Sequence, residues 1–201
     1  MKKILILLML SLMSSCSSFK AERVDDTKSD EKGMEITDNW LQKDTQTAVA
    51  QTIAQIKSHP GYVRYKQKHS EPPAIFVAEI QNMSSEAYFP ISEINNELLN
   101  ELSLSGEFVL VDAAARNKLL EEITYQNDGM VDPSTVKKVG KQTGADLLIF
   151  GSVFMQPESR DGKTLKQYSL DMRVTDLEKG VEVLRTRTKV SKFSQKKKFG
   201  F

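Results

Sequence analysis

The side chains able to do chemistry in this chain are few, and their spacing does not suit catalysis. Two histidines, His59 and His69, stand ten residues apart with no acidic spacing that completes a metal site. Ser152 follows Gly151 inside an apolar run, without the surrounding Gly-x-Ser-x-Gly of a nucleophile elbow, and reads as a close-packed strand position. "GKQTG", Gly140 to Gly144, lacks phosphate-loop spacing and closes a helix where such a loop must open one. Glu121 and Glu122 fall on a solvent face. The expectation is a chain with no catalytic residue, no metal and no cofactor.

Cys16 is the exception. It is the single cysteine, and it follows "ILILLMLSLMSS", an apolar run about half the ~20 residues a spanning helix requires. Lys2 and Lys3 precede the run and small residues close it, which is the layout of a signal peptide. An unpaired thiol in an oxidising compartment is a liability unless it is used. The order Leu10, Met13, Ser14, Ser15, Cys16 resembles a bacterial lipobox, with Met13 where leucine is commonest. That resemblance implies cleavage after Ser15 and acylation of Cys16. Stable anchoring takes more than one acyl chain, each methylene contributing about 0.8 kcal/mol. Ser17 and Ser18, with no aspartate beside the cysteine, favour the outer membrane.

Charge narrows the partner. Lys and Arg number 28 against 27 Asp and Glu. Losing Lys2 and Lys3 with the leader takes the formal charge of +1 down by two. A nucleic-acid binder carries a basic excess that is absent here. Arginines do gather locally, however, with Arg173, Arg185 and Arg187 falling in one expected hairpin. Arg173 lies on the polar alternate of its strand. Arg185 and Arg187 share parity with Val181 and Val183, so a bulge or a loss of core contact must fall between them. Such a row suits a protein partner, since arginine is enriched at binding hot spots. The alternative is a solvated face whose charges pair with Asp171 and Glu182.

The elements that position these residues follow from periodicity. Residues 16–36 read as a polar tether of both charge signs. Some 20 such residues have a root-mean-square reach of roughly 25 Å and a stretched reach of about 65 Å. Residues 37–192 carry the folded domain. Val49, Ile53 and Ile56 mark a helix from Asp44 to Ser58, which Pro60–Gly61 stops. "AIFVAEI" from Ala74 and "FVLV" from Phe108 read as buried strands, with a helix through Ile91, Ile94, Leu98 and Leu102 between them. Asp112 caps a helix with Ala115, Leu119 and Ile123 on one face, and Asp132–Pro133 opens another. "LLIFGSVF", "KQYSLDMRVTDL" and "VEVLRTRTKV" make a meander. The result is an α/β fold, one mixed sheet of about five strands with helices packed on it. Residues 193–201 form a basic tail, mobile or in contact with a membrane or an acidic partner.

"DPSTVKKVGKQTGADLLIFGSV", Asp132 to Val153, resembles the signature of the LpoB family, outer-membrane lipoproteins that activate penicillin-binding proteins. "AIFVAEIQNMSSE", "FVLVDAAARNKLLEE" and "SLDMRVTDLEKGVEV" are similar to its first strand and turn, its second strand and helix, and its final hairpin. The resemblance implies a domain like the N-terminal domain of TolB and the periplasmic part of the secretion lipoprotein CsgG. It also implies a non-catalytic role: a lipid-anchored domain in the periplasm that docks on a class A penicillin-binding protein and stimulates peptidoglycan synthesis. The tether here is shorter and more charged than the Pro/Gln-rich one of well-known members. An envelope scaffold or a CsgG-like secretion role is the alternative, although the connections are short for membrane-spanning hairpins.

Overall fold

The computed structural model describes residues 21–111 and 144–196. Cys16 and its leader lie outside the described residues. So do the two helices expected between Asp112 and Gly144 and the last residues of the basic tail.

Among the described residues there are four helices, α1 (Asp26–Ile36), α2 (Gln42–Ser58), α3 (Pro60–Lys68) and α4 (Ile91–Leu104), and six strands. The strands are β1 (Ala74–Val77), β2 (Gln81–Asn82), β3 (Val109–Leu110), β4 (Leu147–Arg160), β5 (Lys163–Asp176) and β6 (Val181–Gln195). They form one sheet in the order β3-β1-β4-β5-β6, with β2 also pairing β4. The pairs made by β1 are parallel, and β4, β5 and β6 run antiparallel. The expected mixed α/β sheet is therefore present.

Helices α2 and α4 cover one face of this sheet, each through a stripe of apolar side chains. Ala48, Val49, Ile53 and Ile56 line α2, and Ile94, Leu98 and Leu102 line α4. The three α4 side chains are wholly buried, and each such burial contributes about 1.5–3 kcal/mol. They meet Ile75, Val77, Leu147, Ile149, Leu170, Met172 and Val174 from the sheet. A smaller cluster of Phe76, Ala78, Ala145, Leu148 and Leu177 sits on the opposite face at the β1–β4 end.

Three local features differ from the reading of the sequence. Pro60–Gly61 ends α2 but also begins α3. Pro60 occupies the first turn, where a missing N–H costs nothing, and His59 Nδ1 accepts the Gly61 N–H at 3.0 Å. Gly61 is needed there, since a Cβ would stand 2.0 Å from the Val183 carbonyl oxygen. The second difference is α1, which occupies the end of the stretch read as tether. Lys28 and Ser29 donate to the Asp25 carbonyl at 2.9 and 3.0 Å, and Met34 meets Lys192 across the domain. The third is strand length. β4 runs on to Arg160, and β6 runs to Gln195, into the stretch assigned to the tail. Asp161 and Gly162, both at positive φ, form the two-residue turn that a tight β-hairpin requires.

One core atom is unsatisfied. The Thr186 hydroxyl is buried without a hydrogen-bond partner among the described residues. Thr186→Val keeps the shape and removes that penalty. It is expected to raise the unfolding free energy by about 1 kcal/mol in urea titration; a loss of that size would show that the hydroxyl is satisfied after all.

Candidate protein-docking face

Among the described residues, the long strands β4, β5 and β6 carry helices on one face and none on the other. Strand alternation puts Phe150, Arg173 and Arg185 in one cross-strand row of that outer face. Ser152, Asp171 and Arg187 form the next row, and Phe154, Ser169 and Lys189 the one after. Nearer the hairpin turn the face ends in Glu158, Leu165 and Phe193.

The parity conflict in β6 is resolved by a bulge. Val174 pairs Leu184 while Thr175 pairs Glu182, so Val183 is the extra residue. The shift lets Leu184 enter the core while Arg185 and Arg187 stay outside. All three predicted arginines thus share one face. Arg173 and Arg185 stand directly opposite each other, an arrangement that is unfavourable for like charges unless each has other company. Each does. The Arg173 guanidinium lies 5.5 Å from the centre of the Phe150 ring. Arg185 donates from Nε and Nη2 to Glu182 at 3.2 and 2.9 Å, and this holds the Glu182 carboxyl below its ordinary pKa. Arg187 grips Asp171 with two nitrogens, its Nε at 2.8 Å. The pairing with Asp171 and Glu182 is the one the sequence allowed.

These pairs do not close the face. Arg185 and Arg187 remain more than half exposed. Exposed ion pairs contribute about 0–1 kcal/mol, so an incoming carboxylate competes with them at small cost. Phe154 and Phe193 are also exposed on this face. Phe154 did not stand out in the sequence, because it ends a run that reads as uniformly buried, and Phe193 was legible only as part of the basic tail.

A charged clamp on the helix side fixes the far part of the three-stranded arm that β4, β5 and β6 form. Lys166 on β5 meets Asp38 and Glu86, both at 3.0 Å. Tyr168 donates to the same Glu86 oxygen at 2.9 Å, and burial, reinforced by this bond, pushes the phenol pKa up. Ser194 donates to Asp38, and Lys192 meets Asp44 at 2.6 Å. Trp40 packs beneath, 5.2 Å between ring centres from both Phe89 and Tyr168, with its indole N–H on Thr45 at 2.7 Å. The chain therefore enters the domain bound to the same strands that present the arginines.

Among the described residues, no group of three His, Cys, Asp or Glu side chains converges as metal ligands. His59 caps α3, and His69 stacks on Tyr65 with ring centres 4.1 Å apart. Among the described residues no helix is long and apolar enough to cross a membrane.

The described residues form an α/β module whose outer sheet face carries arginines and exposed phenylalanines. The family model of the peptidoglycan-synthase activator LpoB matches residues 44–190, and the chain belongs to that family. The C-terminal domain of LpoB from Escherichia coli is similar in structure, with a TM-score of 0.51 at 16% identity, over 73% of this chain and 98% of that one. The corresponding domain from Salmonella enterica gives 0.48 at 14% identity, over 73% and 94%. Lipoprotein GNA1162 from Neisseria meningitidis gives 0.44 at 19%, over 61% and 85%. No curated protein sequence matches the chain.

Proposed function

We propose that this chain is a lipid-anchored activator of peptidoglycan synthesis that docks on a class A penicillin-binding protein through the face of Arg173, Arg185 and Arg187. The observation that carries the reading is the family match over residues 44–190, which spans both the helical core and the three-stranded arm. The role is non-catalytic. The domain binds the active conformer of the synthase better than the inactive one, and the population shifts by that difference in affinity. Cys16 carries the acyl chains and holds the domain at the outer membrane, facing the periplasm.

Two experiments separate the parts of this reading. Cys16→Ala is expected to abolish labelling by a palmitate analogue and to move the protein out of the membrane fraction. Undiminished labelling contradicts the anchor. A photo-crosslinking residue at Ser169, on the outer face beside Phe154 and Lys189, is expected to join the chain to a class A synthase in intact cells. A yield no greater than from exposed Glu71, ahead of β1, contradicts the docking face.

A further inference from the structure

Among the described residues the sheet ends at β6, which pairs there only with β5. Its free side is closed in part. The Val183 carbonyl is packed against α3 at Gly61. The side-chain amide of Gln55 then reaches over from α2, donating to the Arg187 carbonyl and accepting the Arg187 N–H, each at 3.3 Å. Those two bonds show that the backbone of Arg187 points away from β5. In an antiparallel ladder alternate residues point the same way. The register is unbroken from Leu184 to Gln195, so Lys189, Ser191 and Phe193 also turn their N–H and C=O groups outward. Among the described residues no backbone bond is made on that side of these three.

Gln55 is informative because a primary amide has the donor and acceptor of a peptide group. The protein already seats one such group against this edge, at the long end of hydrogen-bond distance. The edge beyond it is positive. Lys189 lies along it and Lys196 follows it, while the carboxylates that touch this part of the sheet are already engaged, Asp171 by Arg187, Asp44 by Lys192, and Asp38 by Lys166 and Ser194. A second copy of this chain would bring the same positive edge against itself, which is how natural edge strands avoid self-pairing.

We infer that the open edge of β6 from Lys189 to Phe193 accepts an extended acidic peptide segment of another protein as an added strand. Main-chain bonds supply the grip, Lys189 selects acidic side chains, and exposed Phe193 supplies an apolar contact. The inference does not depend on which enzyme the domain activates.

The test is amide hydrogen exchange by NMR on the purified protein with a synthetic peptide of alternating valine and glutamate. The Lys189, Ser191 and Phe193 amides are expected to become protected, and a peptide with lysine replacing glutamate to leave them unchanged. Ser191→Pro removes one outward N–H without touching the β5 ladder, a substitution edge strands tolerate. It is expected to weaken binding roughly tenfold or more while the melting temperature holds. Equal binding by Ser191→Pro overturns the inference, as does an absence of protection at saturating peptide. Protection that grows with protein concentration alone makes a second copy the occupant and also overturns it.

Discussion

Lys166→Met is expected to lower the unfolding free energy by about 3 kcal/mol, the cost typical of removing one partner from a poorly hydrated ion pair. Lys166 is only 15% exposed, and it holds two carboxylates, Asp38 and Glu86, that are themselves mostly covered. Without the ammonium, these two negative groups face each other across the seam where the chain enters the domain. Tyr168 and Ser194 still donate to them but carry no charge. The loss depends on pH. Hydrogen bonds from Ser194 and then Lys166 depress the pKa of Asp38, so its contribution is present above the ordinary carboxylate range and fades as pH falls through the folded value. Burial works against charge on Lys166, but Glu86 and Asp38 outweigh it and raise its pKa, so its contribution fades only in strong base. The gap between wild type and variant is therefore widest near neutrality and narrows in acid. Urea unfolding at both conditions checks this; a gap that widens in acid contradicts the clamp.

The second large effect concerns docking. Arg173→Glu combined with Arg187→Glu is expected to weaken binding to a class A synthase by more than tenfold, since reversing charges at a hydrogen-bonded contact costs about 2–5 kcal/mol. Stability should change little, because both side chains lie on the outer face and Arg187 is itself more than half exposed. Circular dichroism and melting temperature establish that the variant is folded. A control with Lys43→Glu and Lys57→Glu, on exposed positions of α2, alters charge to the same degree away from the face and should bind as wild type. Unchanged binding by a folded double variant removes this face as the docking site.

How much of this was legible in the sequence depends on how local each signal is. The apolar stripe of α4 and the meander were readable because periodicity and turn residues are local. Even the β6 bulge was legible, since Val181, Val183, Arg185 and Arg187 cannot all keep one parity and still bury a core. α3 was missed because a proline–glycine pair reads as a stop, whereas after a capping His59 it starts a second helix. The outer lengths of β4 and β6 were missed because polar residues continue a ladder without any apolar signal. The clamp was not readable at all: Lys166 lies 127 positions from Asn39, the neighbour of Asp38, and only the folded sheet brings Lys166 and Asp38 together. Composition likewise hid α1, whose residues bury little beyond the Met34 contact with Lys192.

The central claim is that this domain activates a peptidoglycan synthase without doing chemistry itself. The most direct test is the rate of glycan-chain polymerisation by a purified class A penicillin-binding protein from the same cell, with and without the purified lipid-free protein. The account predicts a rate that rises and saturates with added protein, at concentrations that match the binding curve. It also predicts that the Arg173→Glu, Arg187→Glu variant needs more than tenfold more protein for the same rise. A synthase that binds the protein yet polymerises at its basal rate, or a rate unaffected at saturating protein, contradicts it.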